Sequence, residues 1–216
     1  KEGGTLKKDS DSSVRTARVV ANGDILIHDA LYYTAKKEDG SYDFNPFFEY
    51  VKPWIEGADL AIGDFEGTIS DRSPLGGYPL FNAPVQIADT MKDVGYDVVD
   101  LAHNHILDTG LYGLKYTDKV FKERGLETVG VHADKNRSED KILIKEVNGI
   151  KIAILAYAYG YNGMDANLTA EDRTNHLSDL DEEKMKEEIE RAEKEADITV
   201  VMPQMGIEYK MEPTEE

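Results

Sequence analysis

Four short apolar runs, each stopping at polar residues able to do chemistry, constrain this chain more than any other feature. Residues 17–21 end in Asn22-Gly23-Asp24, residues 59–62 in Gly63-Asp64-Phe65-Glu66, residues 96–102 in His103-Asn104-His105, and residues 197–202 in Pro203-Gln204. Runs of this length, rich in β-branched residues, read as buried strands. Helical spacing fills the intervals: Phe47, Phe48, Val51, Trp54 and Ile55 within 46–56, and Val85, Ile87, Ala88, Met91 and Val94 within 84–94. Both helices are expected to cover a sheet face. A third helix, 110–124, stops at Gly125, and a short strand should follow at 127–131. Residues 141–147 and 150–157 flank Asn148-Gly149, the turn signal of an antiparallel hairpin. Residues 181–196 are highly charged but carry Met185, Ile189 and Ala192 at helical spacing, giving a solvated helix with a narrow apolar stripe. Residues 159–180 lack periodicity and read as a long loop of the functional kind. Strand, helix, strand order makes this an α/β chain with a mainly parallel sheet and one hairpin.

With 216 residues, 40% of them hydrophobic, the chain can bury a core. Its net charge of −18 repels phosphate backbones and anionic lipid surfaces, which argues against a nucleic-acid partner. There is no cysteine, hence no disulfide framework, thiolate metal site or thiol nucleophile. No Gly-x-Ser-x-Gly elbow or phosphate-cradling Gly-Lys-Ser/Thr loop occurs, and the glycines in 73–78 read as a turn. No run of about 18 apolar residues suggests a membrane span. Residues 1–13 combine glycine, serine and charge with one large apolar residue, so they are expected to form a flexible leader, with a tether to a membrane anchor as one use.

In parallel α/β sheets ligands sit beyond the carboxyl ends of the strands. Asp24, Asp64, Glu66, Asn104, His105 and Gln204 should therefore meet. Carboxylate and amide oxygens with an imidazole suit a divalent metal of the Mn, Fe, Zn or Mg type. On its own, Gly23-Asp24 reads as a turn or a helix cap. His103-Asn104-His105 is sharper, because two imidazoles and an amide directly follow a strand and Asp108 is placed to orient one ring. His28 sits on an unassigned segment, and His132 and His176 have no partner pattern.

These residues resemble the poly-γ-glutamate capsule biosynthesis (CapA) family, grouped with the calcineurin-like metallophosphatases. The likeness is carried by Gly23-Asp24, by 58–67 with Gly63-Asp64-Phe65-Glu66-Gly67, by 101–110 with His103-Asn104-His105 and Asp108, by 125–131, by the Asn148-Gly149 hairpin and by Gly206-Ile207-Glu208-Tyr209, covering most of 17–210. It implies two mixed sheets packed face to face with helices outside, and a metal centre at the strand ends. Asp24 would bind a first metal, Glu66 would bridge, Asn104 would bind a second, and His105 would stabilise or protonate the reacting group. Asp64, His103, Asp108, Gln204 and Glu208 would stand around them or touch substrate. Where the family has His-Trp-Gly-x-Glu-Tyr, this chain has Gln204-Met205-Gly206-Ile207-Glu208-Tyr209, a neutral amide in place of an imidazole. No later Gly-His-x-His segment precedes Glu216. Residues 14–216 are therefore expected to be the N-terminal portion of a longer domain, truncated at its C-terminus, with the dinuclear centre completed in a full-length parent.

The resemblance implies a membrane-anchored, cell-surface component of anionic polymer synthesis or export, working with membrane-associated capsule machinery. A metal-dependent phosphoesterase and a non-catalytic module binding a polyanion or partner protein are the alternatives. The acid excess predicts that any contact with an anionic polymer is bridged by a cation, and an unfinished sheet predicts self-association.

Overall fold

A computed structural model describes residues 14–133, 141–207 and 209–212. Its elements run β1 (Val19–Asp24), α1 (Asp29–Ala35), α2 (Asn45–Phe48), α3 (Lys52–Glu56), β2 (Leu60–Asp64), α4 (Gln86–Asp93), β3 (Val98–Asp100), α5 (Gly110–Glu123) and β4 (Glu127–Val129). Then follow β5 (Leu143–Val147), β6 (Ile150–Ala158), α6 (Ala170–His176), α7 (Glu182–Glu195) and β7 (Ile198–Gln204). One sheet has the order β1-β2-β3-β4, every pairing parallel. The other has the order β5-β6-β7, with β5 antiparallel and β7 parallel to β6.

Alternation along each strand stacks these sheets. Leu60 and Ile62 of β2 and Val98 of β3 pack against Ile152 and Ile154 of β6, with Val200 and Met202 of β7 at the margin. The opposite face of the first sheet presents Ala61, Val99 and Leu101 to a core that includes Ile87 and Met91 of α4 and Leu114 and Phe121 of α5. The opposite face of the second presents Ala153, Leu155 and Tyr157 to Met185, Ile189 and Ala192 of α7. The result is helix, sheet, sheet, helix, as the family resemblance implied, in place of the single mainly parallel sheet that element order alone suggested.

Local chemistry sets the ends of the elements. Asn148 (φ 52°) and Gly149 (φ 75°) supply the positive φ values a type I′ hairpin turn demands. The Asp181 side chain caps α7 by accepting from the Lys184 N–H at 3.1 Å.

Two stretches depart from expectation, and a third that was unassigned gains an element. Residues 46–56 form two short helices, because Pro53 has no N–H to continue the ladder and restarts the helix at the first turn of α3. Phe48 and Ile55 are buried, whereas Phe47, Val51 and Trp54 remain 44%, 47% and 64% exposed, so that stretch covers less of the sheet than its apolar content suggested. Residues 159–180 are not a plain loop: a 3-10 turn (Met164–Asn167) precedes α6. Thr169 caps α6 through the Asp172 N–H at 3.0 Å, and Arg173 pairs with Asp165 and with Asp179, supplying local order that apolar periodicity does not report. Finally, the unassigned segment holding His28 leads directly into α1.

Candidate functional site

The period-2 alternation that builds the inter-sheet core also builds the site, since the same face of each strand turns polar at its last residue. Leu60 and Ile62 are followed on that face by Asp64, Val98 by Asp100, and Val200 and Met202 by Gln204. Asp24 is the Cα partner of Asp64, and Asp64 of Asp100, so three carboxylates stand in a row across three adjacent parallel strands. A cavity of about 760 Å³ opens there, lined by Asp24, Asp64, Glu66, Asp100, Asn104 and Gln204 among others. Asp24, Glu66 and Asn104, expected from separate parts of the chain, thus share one cavity. Asp100 was not singled out in the sequence because the run 96–102 reads as strand through to Ala102. The strand ends at Asp100, and its pairing with Asp64 is the signal that would have found it.

The row is electrostatically strained. Burial pushes the Asp64 carboxyl up to about 9, aided by the charges of Asp100, Asp24 and Glu66 and by a hydrogen bond with Asp24. Burial likewise pushes Asp100 up to about 8, with the charge of Asp24 adding to it, while the Ala102 N–H donated to Asp100 Oδ1 at 2.8 Å acts in the opposite sense. Asp64 Oδ1 is buried with no hydrogen-bond partner among the described residues. Among those residues, no three His, Cys, Asp or Glu side chains form a group able to hold a metal ion by themselves.

The turn after β3 carries the other polar residues. His103 is fully buried, and burial drives its imidazole down to about 3, so the ring is neutral at physiological pH. Its Nε2 lies 3.3 Å from the Gly67 N–H and its Nδ1 3.2 Å from the His105 N–H; a neutral imidazole accepts at one nitrogen at a time. Asn104 is clamped from the other sheet. Its N–H donates to Gln204 Oε1 at 2.7 Å, and Gln204 Nε2 donates back to Asn104 Oδ1 at 3.1 Å. Gln204, which stands where the resemblance expects an imidazole, therefore joins the end of β7 to the turn after β3.

Asn104 Nδ2 donates in turn to Asn162 Oδ1 at 3.2 Å, and Asn162 Nδ2 lies 3.4 Å from each ring nitrogen of His105. Asn162 has a positive φ of 51° and precedes Gly163. This third Asn-Gly pair in the chain marks a turn, but nothing local shows that the turn reaches the site. His105 Nδ1 is 2.7 Å from Asp108 Oδ2, which also accepts the Phe81 N–H at 2.6 Å. Asp108 thus favours the tautomer with the proton on Nδ1 and turns Nε2 toward Glu66, whose Oε1 is 3.9 Å away. Phe81 presses edge-on against the His105 ring at 4.7 Å.

His28 contacts the same Phe81 at 4.9 Å and does not line the cavity. His176 is fully buried, its Nδ1 bonded to the His132 carbonyl, away from the site. Glu208 and the leader 1–13 lie outside the described residues.

Two facing sheets whose strand ends bring carboxylates and amides to one cavity, with the His105 imidazole 3.9 Å from Glu66, define an α/β protein with a polar strand-end site. Over residues 18–216 the sequence matches the family described as bacterial capsule synthesis protein PGA_cap, and the chain belongs to that family. It is 28% identical over 174 residues to the PGA biosynthesis protein CapA of Bacillus subtilis (strain 168), covering 78% of this chain and 44% of that protein. It is 27% identical over 183 residues to the capsule biosynthesis protein CapA of Bacillus anthracis, covering 80% of this chain and 43% of that one. The chain therefore spans less than half the length of these curated relatives. Among solved structures, the sulfate thiohydrolase SoxB of Thermus thermophilus, in complex with glycerol, aligns with a TM-score of 0.44 and 15% identity over 75% of this chain and 29% of that chain.

Proposed function

We propose that this chain carries the cation-dependent site of a surface-anchored component of poly-γ-glutamate capsule synthesis or export. The observation that supports this most directly is the convergence of Asp24, Glu66 and Asn104 on one cavity, beside the His105–Asp108 pair. The donor set fits a divalent cation. Its oxygens are carboxylate and amide, and buried carboxylates that repel one another are relieved by a positive charge. Asp24 and Glu66 would hold the ion, with Asn104 Oδ1 contributing the lone pair that Gln204 leaves unused. When bound, such an ion supplies charge neutralisation and polarises an oxyanion of the substrate.

The remaining roles belong to side chains of the chain itself. Asp108 fixes the His105 ring, leaving Nε2 to receive or deliver a proton at the cavity edge. The Gln204 clamp holds Asn104 between the two sheets. The net charge of −18 opposes an anionic polymer, so in this reading the cation bridges protein and polymer. Among the described residues no helix is long and apolar enough to cross a membrane, and the reading places the anchor outside them. A metal-dependent phosphoesterase is the second reading, favoured by the oriented imidazole close to Glu66.

Polymer binding separates these readings. Chelated protein should not retain poly-γ-glutamate, Mn²⁺ or Mg²⁺ should restore binding, and Asp24→Ala should abolish the restoration. Binding that survives chelation would point instead to a non-catalytic polyanion module. Release of phosphate from a chromogenic ester, lost in His105→Ala, would favour the phosphoesterase.

A further inference from the structure

The groove that α2 and α3 leave open against the edge of the first sheet has no part in the site described above. Phe47, Val51 and Trp54, each at least 44% exposed, line it together with Val20 of β1, and the buried Phe48 and Ile55 form its floor. Apolar side chains gathered at one place on the surface mark a binding site rather than chance exposure. The groove encloses about 320 Å³, at the small end of small-molecule sites. Its polar groups are few and bonded to each other or to the backbone. The Tyr96 OH donates to Asn22 Oδ1 at 2.7 Å, and Asn22 Nδ2 donates to the Gly23 carbonyl at 2.6 Å. An alkyl chain suits such walls better than a heterocycle, whose donors and acceptors would go unmet.

β1 joins this groove to the polar cavity. Val19 and Ala21 are the Cα partners of Leu60 and Ile62 and share their inter-sheet face, which leaves Val20 and Asn22 on the opposite face. The register then slips between Asn22 and Asp24, and the extra residue returns Asp24 to the side of Asp64. Asn22 accordingly lines both the groove and the cavity of about 760 Å³. Gly23 stands between the two, and a side chain added there would meet nothing within 4 Å. Among the described residues β1 has β2 as its only neighbour, so no strand closes the route round its end.

We propose that the groove holds the alkyl chain of an amphiphilic anion whose head reaches the strand-end cavity round Gly23. Without a cation, the carboxylates of Asp24 and Asp64 oppose an anionic head, so this rests on reading the cavity as a cation site. It adds a lipid-like anion to the ligands that the cavity takes.

Trp54 is the single tryptophan of the chain, so its emission reports on the groove alone. Decyl phosphate, kept below its micelle concentration, should shift that emission to shorter wavelength in the 216-residue chain. With Mg²⁺ it should bind about tenfold tighter than to chelated protein. Decanol should produce the same shift with no dependence on Mg²⁺. Phe47→Ala should weaken both ligands by about tenfold. Gly23 lies outside the left-handed region, so Gly23→Leu should fold; it should weaken decyl phosphate and leave decanol binding, and Mg²⁺ binding by calorimetry, unchanged. Decyl phosphate binding indifferent to both Mg²⁺ and Gly23→Leu, in protein that binds Mg²⁺, would overturn the link between groove and cavity while leaving the cation reading intact. Failure of wild type to bind Mg²⁺ would overturn both. No Trp54 response to either alkyl ligand, or an equal response to adenosine monophosphate, would overturn the assignment of the groove to an alkyl chain.

Discussion

Asp64 concentrates the conflict that this site resolves. Its carboxyl is pushed up to about 9 and that of Asp100 to about 8, both well above the ordinary carboxylate value near 4. The folded protein therefore holds protons that the unfolded chain releases. The contribution of these two groups to stability is complete below about pH 4 and is lost as pH climbs through 8 and 9. Thermal unfolding of chelated protein between pH 5 and pH 9 should show that decline, and Asp64→Asn should flatten it. Added Mg²⁺ should recover most of the loss at the alkaline end. An identical pH slope in wild type and Asp64→Asn would show that other groups set it. At the same scale, His103 and His105 are adjacent in type but opposite in use: burial keeps one neutral and bonded to the backbone, whereas Asp108 orients the other toward Glu66.

At the level of elements, the site depends on the two sheets ending at one place. The reciprocal Asn104–Gln204 bonds tie the turn after β3 in the first sheet to the last residue of β7 in the second. Gln204→Ala would leave the Asn104 N–H without its acceptor, at a cost of about 1–3 kcal/mol. Amide exchange at Asn104 should accelerate while that of central β6 residues such as Ile154 changes little, measurable by hydrogen exchange and mass spectrometry. Equal acceleration in β6 would mean that the clamp supports the whole sheet rather than the site. Elements were legible where periodicity was strong: the four strand runs, the Asn148-Gly149 hairpin, and the helices ending near Gly125 and starting at Asp181. They were less legible where side chains replaced periodicity. Thr169, Arg173 and Asp179 order α6 through hydrogen bonds and ion pairs, and Pro53 divides a stretch whose apolar spacing alone reads as one helix.

At the scale of the molecule, β7 has only β6 as a neighbour among the described residues, and Ile198, Met205, Ile207, Tyr209 and Met211 at or after that edge are at least half exposed. An open edge beside apolar side chains favours pairing with another chain, while the net charge of −18 opposes it. The 216-residue chain should therefore self-associate increasingly from low to high salt in size-exclusion chromatography with light scattering. A monomer at every salt concentration would count against this.

The order of residues by itself determined the class of fold and most of the members of the site, because strand periodicity and the polar residues that end each run are local properties. Asp24, Asp64, Glu66, Asn104, His105, Asp108 and Gln204 could all be named without coordinates. Only the tertiary structure decided that Asp100 joins Asp24 and Asp64, that Gln204 clasps Asn104, and that Asn162 reaches His105. Those relations depend on strand register and on how one sheet lies over the other, and pairs up to 100 residues apart carry no mark of each other in the linear chain.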